Sequence, residues 1–199
     1  MHDQVTNIRL AGVGGQGILV ASEVLCDALL ASGHDVKKSE THGMAQRGGA
    51  VNSDIRFGPK VHSPLNPQGA VDLLVAFEEM EALRYLPSLK EGGTTLVNRQ
   101  RILPVAVASG KAEYPSDVVA RLAQHAARVV SLDALALAVE AGAIRSVNIC
   151  LLGALSCFLP VPEETWRTVL TDRFRNKGLE ANLRAFALGR AAAQAEGGR

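Results

Sequence analysis

The chain has 199 residues, of which 47% are hydrophobic and only 4% aromatic, which suits one sizeable α/β domain with a core of aliphatic side chains. Its 21 basic and 20 acidic residues give a net charge of +1, which excludes a strongly charged surface for nucleic acid or an acidic membrane. Residues 147–160 form the longest apolar stretch, but they include Asn148 and are too few to span a bilayer. Because the first residues also lack a signal-peptide pattern, we expect a cytoplasmic protein.

Apolar runs separated by glycine and proline predict strands that alternate with helices. The predicted strands cover residues 8–13, 35–39, 51–57, 71–77, 94–98 and 128–132, with a further short strand at 105–107. The predicted helices cover residues 17–32, 78–90 with an interruption at Pro87, 116–126, 133–141, 147–158, 163–175 and 179–195. This order predicts an α/β protein, a three-layer Rossmann-like sandwich with a mostly parallel sheet and a helical C-terminal section. We expect residues 1–132 to form the sheet core and residues 133–195 the C-terminal helices.

The three cysteines, Cys26, Cys150 and Cys157, are odd in number and show no CxxC spacing. This pattern excludes a disulfide framework and argues against a four-thiolate iron–sulfur site, so we expect all three to be buried structural residues. The five histidines show no HxxxH or HxH spacing. No metal site is therefore predicted.

Residues 12–17, Gly-Val-Gly-Gly-Gln-Gly, have the spacing GxGxxG between a predicted strand and a predicted helix. Glycines permit a tight turn and a close approach of a ligand, and a helix N-terminus offers free N–H groups to an anion. A dinucleotide site also needs an acid at the end of the second strand, where Glu40 lies. Against NAD, Lys37, Lys38 and Ser39 are polar for a central strand, and no dehydrogenase-like catalytic pair stands out. A turn that serves close packing is the remaining alternative.

Residues 40–49, Glu-Thr-His-Gly-Met-Ala-Gln-Arg-Gly-Gly, carry many functional groups for a connector. In a doubly wound sheet, a loop after the second strand lies at the same carboxyl edge as the glycine motif. Gln16 and Arg47 could then face one pocket, where the guanidinium of Arg47 would bind phosphate or carboxylate. The alternative is a surface loop in which Arg47 pairs with Glu40 or Asp54.

The two loops together supply the candidate cofactor-binding residues. These are Gly12, Gly14, Gly15, Gln16, Gly17, His42, Gly43, Met44, Gln46, Arg47 and Gly48. No residue is assigned to catalysis, because the sequence pairs His42 with no serine or cysteine nucleophile. Glu78 follows a predicted central strand, where its carboxylate either favours the next helix N-terminus or lines the cleft.

Taken together, the two loops resemble those of the gamma-type subunit of the 2-oxoacid:ferredoxin oxidoreductases. The run His-Gly-Met-Ala-Gln-Arg-Gly-Gly that begins at His42 is most similar to the indolepyruvate type of this family. Further resemblance lies at Ser63-Pro64-Leu65, Asp72, Glu78, Ala82, Leu83, Asn148, Gly153-Ala154-Leu155 and residues 182–189. It therefore covers nearly the whole chain.

The resemblance implies that residues 1–199 form a single pyruvate/ketoisovalerate oxidoreductase gamma-type domain, an enzyme subunit that is inactive alone. A large partner subunit would carry thiamine diphosphate and [4Fe-4S] clusters. It would decarboxylate a 2-oxoacid such as indolepyruvate or another arylpyruvate, pass two electrons singly to ferredoxin, and release the acyl group to coenzyme A. The chain itself would hold no tightly bound cofactor, and coenzyme A would be a shared ligand at the glycine loop and Arg47.

Other functions stay open on the residues alone. The chain could be the gamma subunit of a pyruvate, 2-oxoglutarate or branched-chain oxoacid enzyme, since the large subunit would select most of the substrate. It could instead be a stand-alone NAD(P)-binding Rossmann protein, which predicts that the isolated chain binds NADH tightly. A third hypothesis is a non-enzymatic binding module, which could form a homodimer through its Ala- and Leu-rich helices when isolated.

Overall fold

The computed structural model describes residues 5–43 and 49–197. Its strands are β1 (Thr6–Val13), β2 (Asp35–His42), β3 (Ala50–Gly58), β4 (Val71–Ala76), β5 (Leu89–Asn98) and β6 (Arg128–Leu132). Its helices are α1 (Ile18–Ala31), α2 (Glu79–Tyr85), α3 (Val105–Ala108), α4 (Val118–Ala123), α5 (Ala134–Glu140), α6 (Val147–Ser156), α7 (Glu163–Phe174) and α8 (Leu179–Gly197). Single turns of 3₁₀ helix lie at Leu86–Ser88 and Ile144–Ser146.

The six strands form one sheet in the order β2-β3-β1-β4-β5-β6. Strands β1, β4, β5 and β6 are parallel neighbours, whereas β3 is antiparallel to both β1 and β2. Strand β2 therefore lies at the edge of the sheet and is separated from β1 by β3. An edge strand has one side open to water, which explains why Lys37, Lys38 and Ser39 are tolerated in it.

Two layers of helices cover the sheet. Ile8 and Leu10 of β1 and Leu96 of β5 belong to a large core with α1 and the helices after β6. Val97 of β5 faces the opposite way and packs with Ala82 and with residues of α4. Successive side chains of a strand point to opposite faces, so the sheet is buried on both sides by helices.

Helices α6 and α8 approach each other at two glycines. A Cβ placed on Gly153 would lie 2.0 Å from the carbonyl oxygen of Phe186, and a Cβ on Gly189 would lie 1.9 Å from that of Cys150. Only glycine fits at such distances, because backbone of one helix touches backbone of the other. This contact accounts physically for the resemblance at Gly153 and at residues 182–189.

The predicted α/β class with a mostly parallel sheet is confirmed, but two predicted elements are wrong. Residues 105–107, predicted as a short strand, form the exposed helix α3, in which the amides of Val107 and Ala108 donate to the carbonyl oxygen of Pro104. The helix predicted at 78–90 ends at Tyr85, and β5 already begins at Leu89. Pro87 lacks an N–H group and cannot continue an α-helix.

The three cysteines differ in how deeply they are buried. Cys26 and Cys150 are buried, and burial raises the pKa of these thiols to about 11 and about 12, respectively. Cys157 is only half-buried, which the sequence analysis did not expect. Desolvation also raises the pKa of Cys157, so each thiol stays protonated at neutral pH.

Within residues 5–43 and 49–197, no helix combines the length and the apolar character that a membrane span requires.

The close contact of α6 and α8 gives a stability prediction. Replacing glycine by alanine in an open helix stabilises it by about 1 kcal/mol, but Gly189→Ala should destabilise the chain by about 2 kcal/mol or more, because the added methyl overlaps backbone. Urea unfolding of the isolated chain measures the difference. Ala187→Leu, which adds bulk at an exposed position of the same helix, is the control and should change stability by less than about 0.5 kcal/mol. A stabilised Gly189→Ala variant would contradict the helix contact.

Candidate functional site

A cleft of about 490 Å³ opens where β1 ends and α1 begins. On its other side are the end of β2 and the start of β3, since the amide of Gly14 donates to the carbonyl oxygen of Gly49 at 2.9 Å. The described lining residues are Val13, Gly14, Gly15, Gly17, Ile18, Leu19, Val20, His42, Gly43 and Val51. The described residues of the second loop, His42, Gly43 and Gly49, thus lie at the same carboxyl edge as the glycine loop, as the sequence predicts.

Two glycines give the first loop its shape. Gly15 and Gly17 have φ values of 103° and 78°, a region that side chains other than glycine rarely enter. A Cβ on Gly17 would also lie 2.8 Å from the side-chain nitrogen of Asn148, which donates to the carbonyl oxygen of Gly17 at 3.2 Å. Asn148 on α6 thus buttresses the loop from behind, a role that sequence reasoning did not assign to it.

The N-terminus of α1 is open toward the cleft. The first hydrogen bond of the 14-residue helix runs from the amide of Ala21 to the carbonyl oxygen of Gly17 at 3.0 Å. The amides of Ile18, Leu19 and Val20 come before this bond and have no acceptor within the helix. No described side chain caps this helix, and its first turn contains no acid. In contrast, α2 and α5 are capped by the carboxylates of Glu78 and Asp133. The N-terminus of α1 is therefore suited to an external anion.

Gln16 is turned away from the cleft, contrary to the expectation that it faces a pocket together with Arg47. Its Oε1 accepts from the amide of Val13 at 2.7 Å. Its Nε2 donates to the carbonyl oxygen of Phe77 at 2.9 Å and to Oε1 of Gln100 at 3.0 Å. A side chain whose polar atoms are bonded within the protein has a structural role in the loop, not a direct one in binding.

The predicted site residues thus separate into three groups. Those that line the cleft are Gly14, Gly15, Gly17, His42 and Gly43. Gly12 lies inside β1 beneath the loop, where Gln16 fills the space over it: a Cβ there would lie 2.6 Å from Oε1 of Gln16. Met44, Gln46, Arg47 and Gly48 lie outside the described residues.

The apolar lining was missed by sequence reasoning. Ile18, Leu19 and Val51 line the cleft. In the sequence, aliphatic residues with the spacing of a helix or a strand indicate the hydrophobic core and not a ligand site. Among the described lining residues, His42 alone carries a titratable side chain. Within the described parts of the chain, no group of three or more His, Cys, Asp or Glu side chains could hold a metal ion. The described cleft offers N–H donors and apolar walls.

Glu40 is not placed as a dinucleotide-binding acid would be. In a Rossmann fold the second strand lies beside the first, whereas here β3 separates β2 from β1. The carboxylate of Glu40 forms an ion pair with Lys38 at 2.7 Å and accepts from the hydroxyl of Ser22 at 3.3 Å. This geometry argues against NAD as the ligand of the glycine loop.

Glu78 is buried, with 1% of its surface exposed. Its contacts show whether its carboxylate favours the N-terminus of the next helix or lines the cleft. It accepts from the amides of Glu81 and Ile102 at 3.0 and 3.1 Å and from the hydroxyl of Tyr114. The hydrogen bond to this carboxylate and burial both raise the pKa of Tyr114, with burial the larger cause. Glu78 therefore caps α2 and holds the segment after β5.

Comparison with known proteins decides the family. The model of the family described as pyruvate ferredoxin/flavodoxin oxidoreductase matches residues 7–192. This chain belongs to that family. The resemblance predicted from the two loops is confirmed.

Three relatives illustrate the match. Subunits named indolepyruvate oxidoreductase subunit IorB from Thermococcus kodakarensis and Pyrococcus horikoshii are 41% and 39% identical to this chain, and each alignment covers 94% of this chain and 96% of the relative. The solved 2-oxoglutarate:ferredoxin oxidoreductase from Magnetococcus marinus, with 2-oxoglutarate, coenzyme A and succinyl-CoA bound, is 26% identical with a TM-score of 0.75. It matches 96% of this chain but only 31% of its own chain, so the same fold occurs there within a longer polypeptide.

The position of β3 gives a prediction about NADH. Because β3 separates Glu40 from β1 and Glu40 pairs with Lys38, the isolated chain should show no saturable change in NADH fluorescence up to millimolar concentration. Titration of the purified chain measures this directly. Saturable binding at micromolar concentration would favour the stand-alone NAD(P)-binding hypothesis.

Proposed function

We propose that this chain is the small subunit of a thiamine diphosphate- and iron–sulfur-dependent indolepyruvate-type ferredoxin oxidoreductase. The observation that carries the proposal is the match to two indolepyruvate oxidoreductase subunits over 94% of the chain. The complex would convert a 2-oxoacid carboxylate, coenzyme A and two oxidised ferredoxins to acyl-CoA, carbon dioxide and two reduced ferredoxins, with release of the thiol proton of coenzyme A. A pyruvate, 2-oxoglutarate or branched-chain oxoacid enzyme is the second candidate, because a solved relative of the same fold binds 2-oxoglutarate.

The partner would carry the redox chemistry. Thiamine diphosphate and [4Fe-4S] clusters belong to the large subunit in this proposal, and ferredoxin binds to the complex. The three thiols of this chain have raised pKa values, and thiolates are what a cluster requires. The chain would act as a binding subunit that is inactive by itself.

The cleft is proposed to bind coenzyme A. Its phosphates would accept hydrogen bonds from the open amides of Ile18, Leu19 and Val20, and the dipole of α1 adds to this attraction. The side chains of Ile18, Leu19 and Val51 would pack against an apolar part of the ligand. The Magnetococcus marinus enzyme, in which the same fold makes up 31% of the chain, was solved with coenzyme A bound. Arg47 would add a cation, as the family resemblance implies.

Three further statements stay predictions. The chain is expected to form a single gamma-type domain with a sheet core at 1–132 and helices at 133–195. A cytoplasmic location is expected from the sequence. A homodimer of the isolated chain, without the large subunit, stays one of the alternatives.

The first test is purification of the tagged chain from its native cell. We expect a large, brown, cluster-bearing partner to co-purify, and the complex should reduce ferredoxin with indolepyruvate and coenzyme A. A chain that purifies without a cluster-bearing partner would refute the subunit assignment. Faster turnover with pyruvate or 2-oxoglutarate than with arylpyruvates would favour the second candidate.

The second test concerns the cleft. Leu19→Trp in the complex should weaken coenzyme A binding by about tenfold or more, because the larger ring fills the entrance; such a change corresponds to about 1.4 kcal/mol. Leu30→Trp, at an exposed position near the other end of α1, is the matched control and should bind coenzyme A normally. Arg47→Ala should also weaken binding, with Arg167→Ala on α7 as control. Unchanged affinity in both Leu19→Trp and Arg47→Ala, measured by calorimetry, would refute this site.

A further inference from the structure

Three side-chain amides form a continuous chain of hydrogen bonds along the carboxyl edge of the sheet. Nε2 of Gln16 and Nδ2 of Asn98 both donate to Oε1 of Gln100, at 3.0 and 3.2 Å. Both nitrogens also donate to the carbonyl oxygen of Phe77, at 2.9 and 3.1 Å. Gln100 is thus the common acceptor between the glycine loop after β1 and the end of β5.

Gln100 is itself held by the start of α2. Its carbonyl oxygen accepts from the amide of Glu79 at 3.0 Å, and the next residue, Arg101, pairs with the carboxylate of Glu79 at 2.7 Å. One residue further on, the amide of Ile102 donates to Glu78 at 3.1 Å. These bonds fix the backbone on which the Gln100 side chain stands, so its oxygen is pre-oriented toward Gln16.

The other end of the amide chain is also fixed. Asn98 has 1% of its surface exposed, and its Oδ1 accepts from the amide of Ala134, the first residue of α5, at 3.0 Å. A buried amide that satisfies three groups has one favoured orientation. The side-chain nitrogen of Asn98 therefore points to Gln100. Because Asn98 donates to Gln100, the oxygen of the Gln100 amide is the atom that lies between Asn98 and Gln16 and accepts from both.

The glycine loop depends on this support. Gly15 and Gly17, on either side of Gln16, have left-handed φ values, and glycine enters many other conformations at little cost. The described backbone bonds of the loop are those of Gly14 to Gly49, of Gln16 to Val13 and of Ala21 to Gly17. Gln16 adds three bonds from its side chain, so its orientation determines where the loop amides point.

We propose that Gln100 and Asn98 are positioning residues for the cleft. They line no part of its described wall, but they hold Gln16 and thereby set the glycine loop in the conformation that binds coenzyme A. The proposal rests on the proposed function, because it assumes coenzyme A as the cleft's ligand. It reassigns Gln16 from a ligand-binding residue to the link between the loop and these two amides.

The first experiment uses the full chain alone and needs no ligand. Gln100→Met keeps the length of the side chain but removes the acceptor, whereas Gln100→Glu keeps an oxygen at the same position. We expect the amides of Val13 and Gln16 to exchange hydrogen with deuterium about threefold to tenfold faster in Gln100→Met, the equilibrium change expected for loss of one neutral hydrogen bond. Exchange in Gln100→Glu should stay near the native rate.

The amide of Leu155 in α6 reports on global stability, and its exchange should be unaffected in both variants. Native exchange at Val13 and Gln16 in Gln100→Met would overturn the proposal.

The second experiment measures coenzyme A in the assembled complex. Gln100→Met should raise KM for coenzyme A about threefold to tenfold and leave kcat at saturating coenzyme A unchanged, and Gln100→Glu should restore KM. In a double-mutant cycle, Gln16→Met combined with Gln100→Met should raise KM no more than the larger single effect, because both changes remove the same link. Additive effects, or a fall in kcat without a rise in KM, would overturn the proposal.

Failure of the positioning role and failure of the coenzyme A site give different experimental results. If Leu19→Trp weakens coenzyme A binding and Gln100→Met does not, the positioning role is refuted while the coenzyme A site stands. If Leu19→Trp, Arg47→Ala and Gln100→Met all leave the affinity unchanged, the coenzyme A site fails and the positioning role fails with it.

Discussion

Strand β3 runs opposite to its two neighbours and lies between β1 and β2, and the site depends on this one insertion. In a parallel dinucleotide-binding sheet, the strand that follows the first helix lies directly beside β1 and brings its terminal acid to the ligand. Here β2 and β3 form a hairpin, and the hairpin takes up that place. Gly49, directly before β3, and not an acidic strand end, meets the glycine loop through the hydrogen bond that the amide of Gly14 donates to its carbonyl oxygen. The glycine spacing is therefore that of a dinucleotide-binding fold, but the cleft beside it is built differently.

The arrangement of acids around the sheet edge reinforces that difference. Helices α2 and α5 begin at the same edge as α1, and each carries its own carboxylate cap, Glu78 or Asp133. Neither N-terminus needs an external anion. The N-terminus of α1 has no such cap among the described side chains, and the helix dipole there is left to act on a ligand. Under the proposed function, the absence of an acid from residues 18–21 would direct the phosphates of the ligand to the start of α1 and not to those of α2 and α5.

The sequence predicted what local chemistry and spacing determine. The strand–glycine–helix unit at 8–32 and the C-terminal helices follow from periodicity and from glycine and proline breaks, and their approximate bounds agree with the structure. What it could not predict is set by contacts between distant residues. The antiparallel β3 has no signal in its own sequence, because Val51 to Phe57 alternate as any half-exposed strand does. Gln16 looked like a ligand-binding residue because its acceptor, Gln100, lies 84 positions away. Gly153 and Gly189 gave no sign that they face backbone of the opposite helix.

These long-range contacts also explain how a cleft of the described composition can belong to a redox enzyme. Its described wall contributes amides, aliphatic side chains and one imidazole, which are groups that hold and orient a ligand. The buried carboxylate of Glu78 accepts from the backbone amides of Glu81 and Ile102 and from the hydroxyl of Tyr114, so it fixes the protein's own structure. A binding surface of this kind needs precision in the backbone more than reactive side chains, since hydrogen bonds to a ligand weaken steeply with misalignment. The amides of Gln16, Gln100 and Asn98 supply that precision from inside the fold, and they leave the cleft itself free for the ligand.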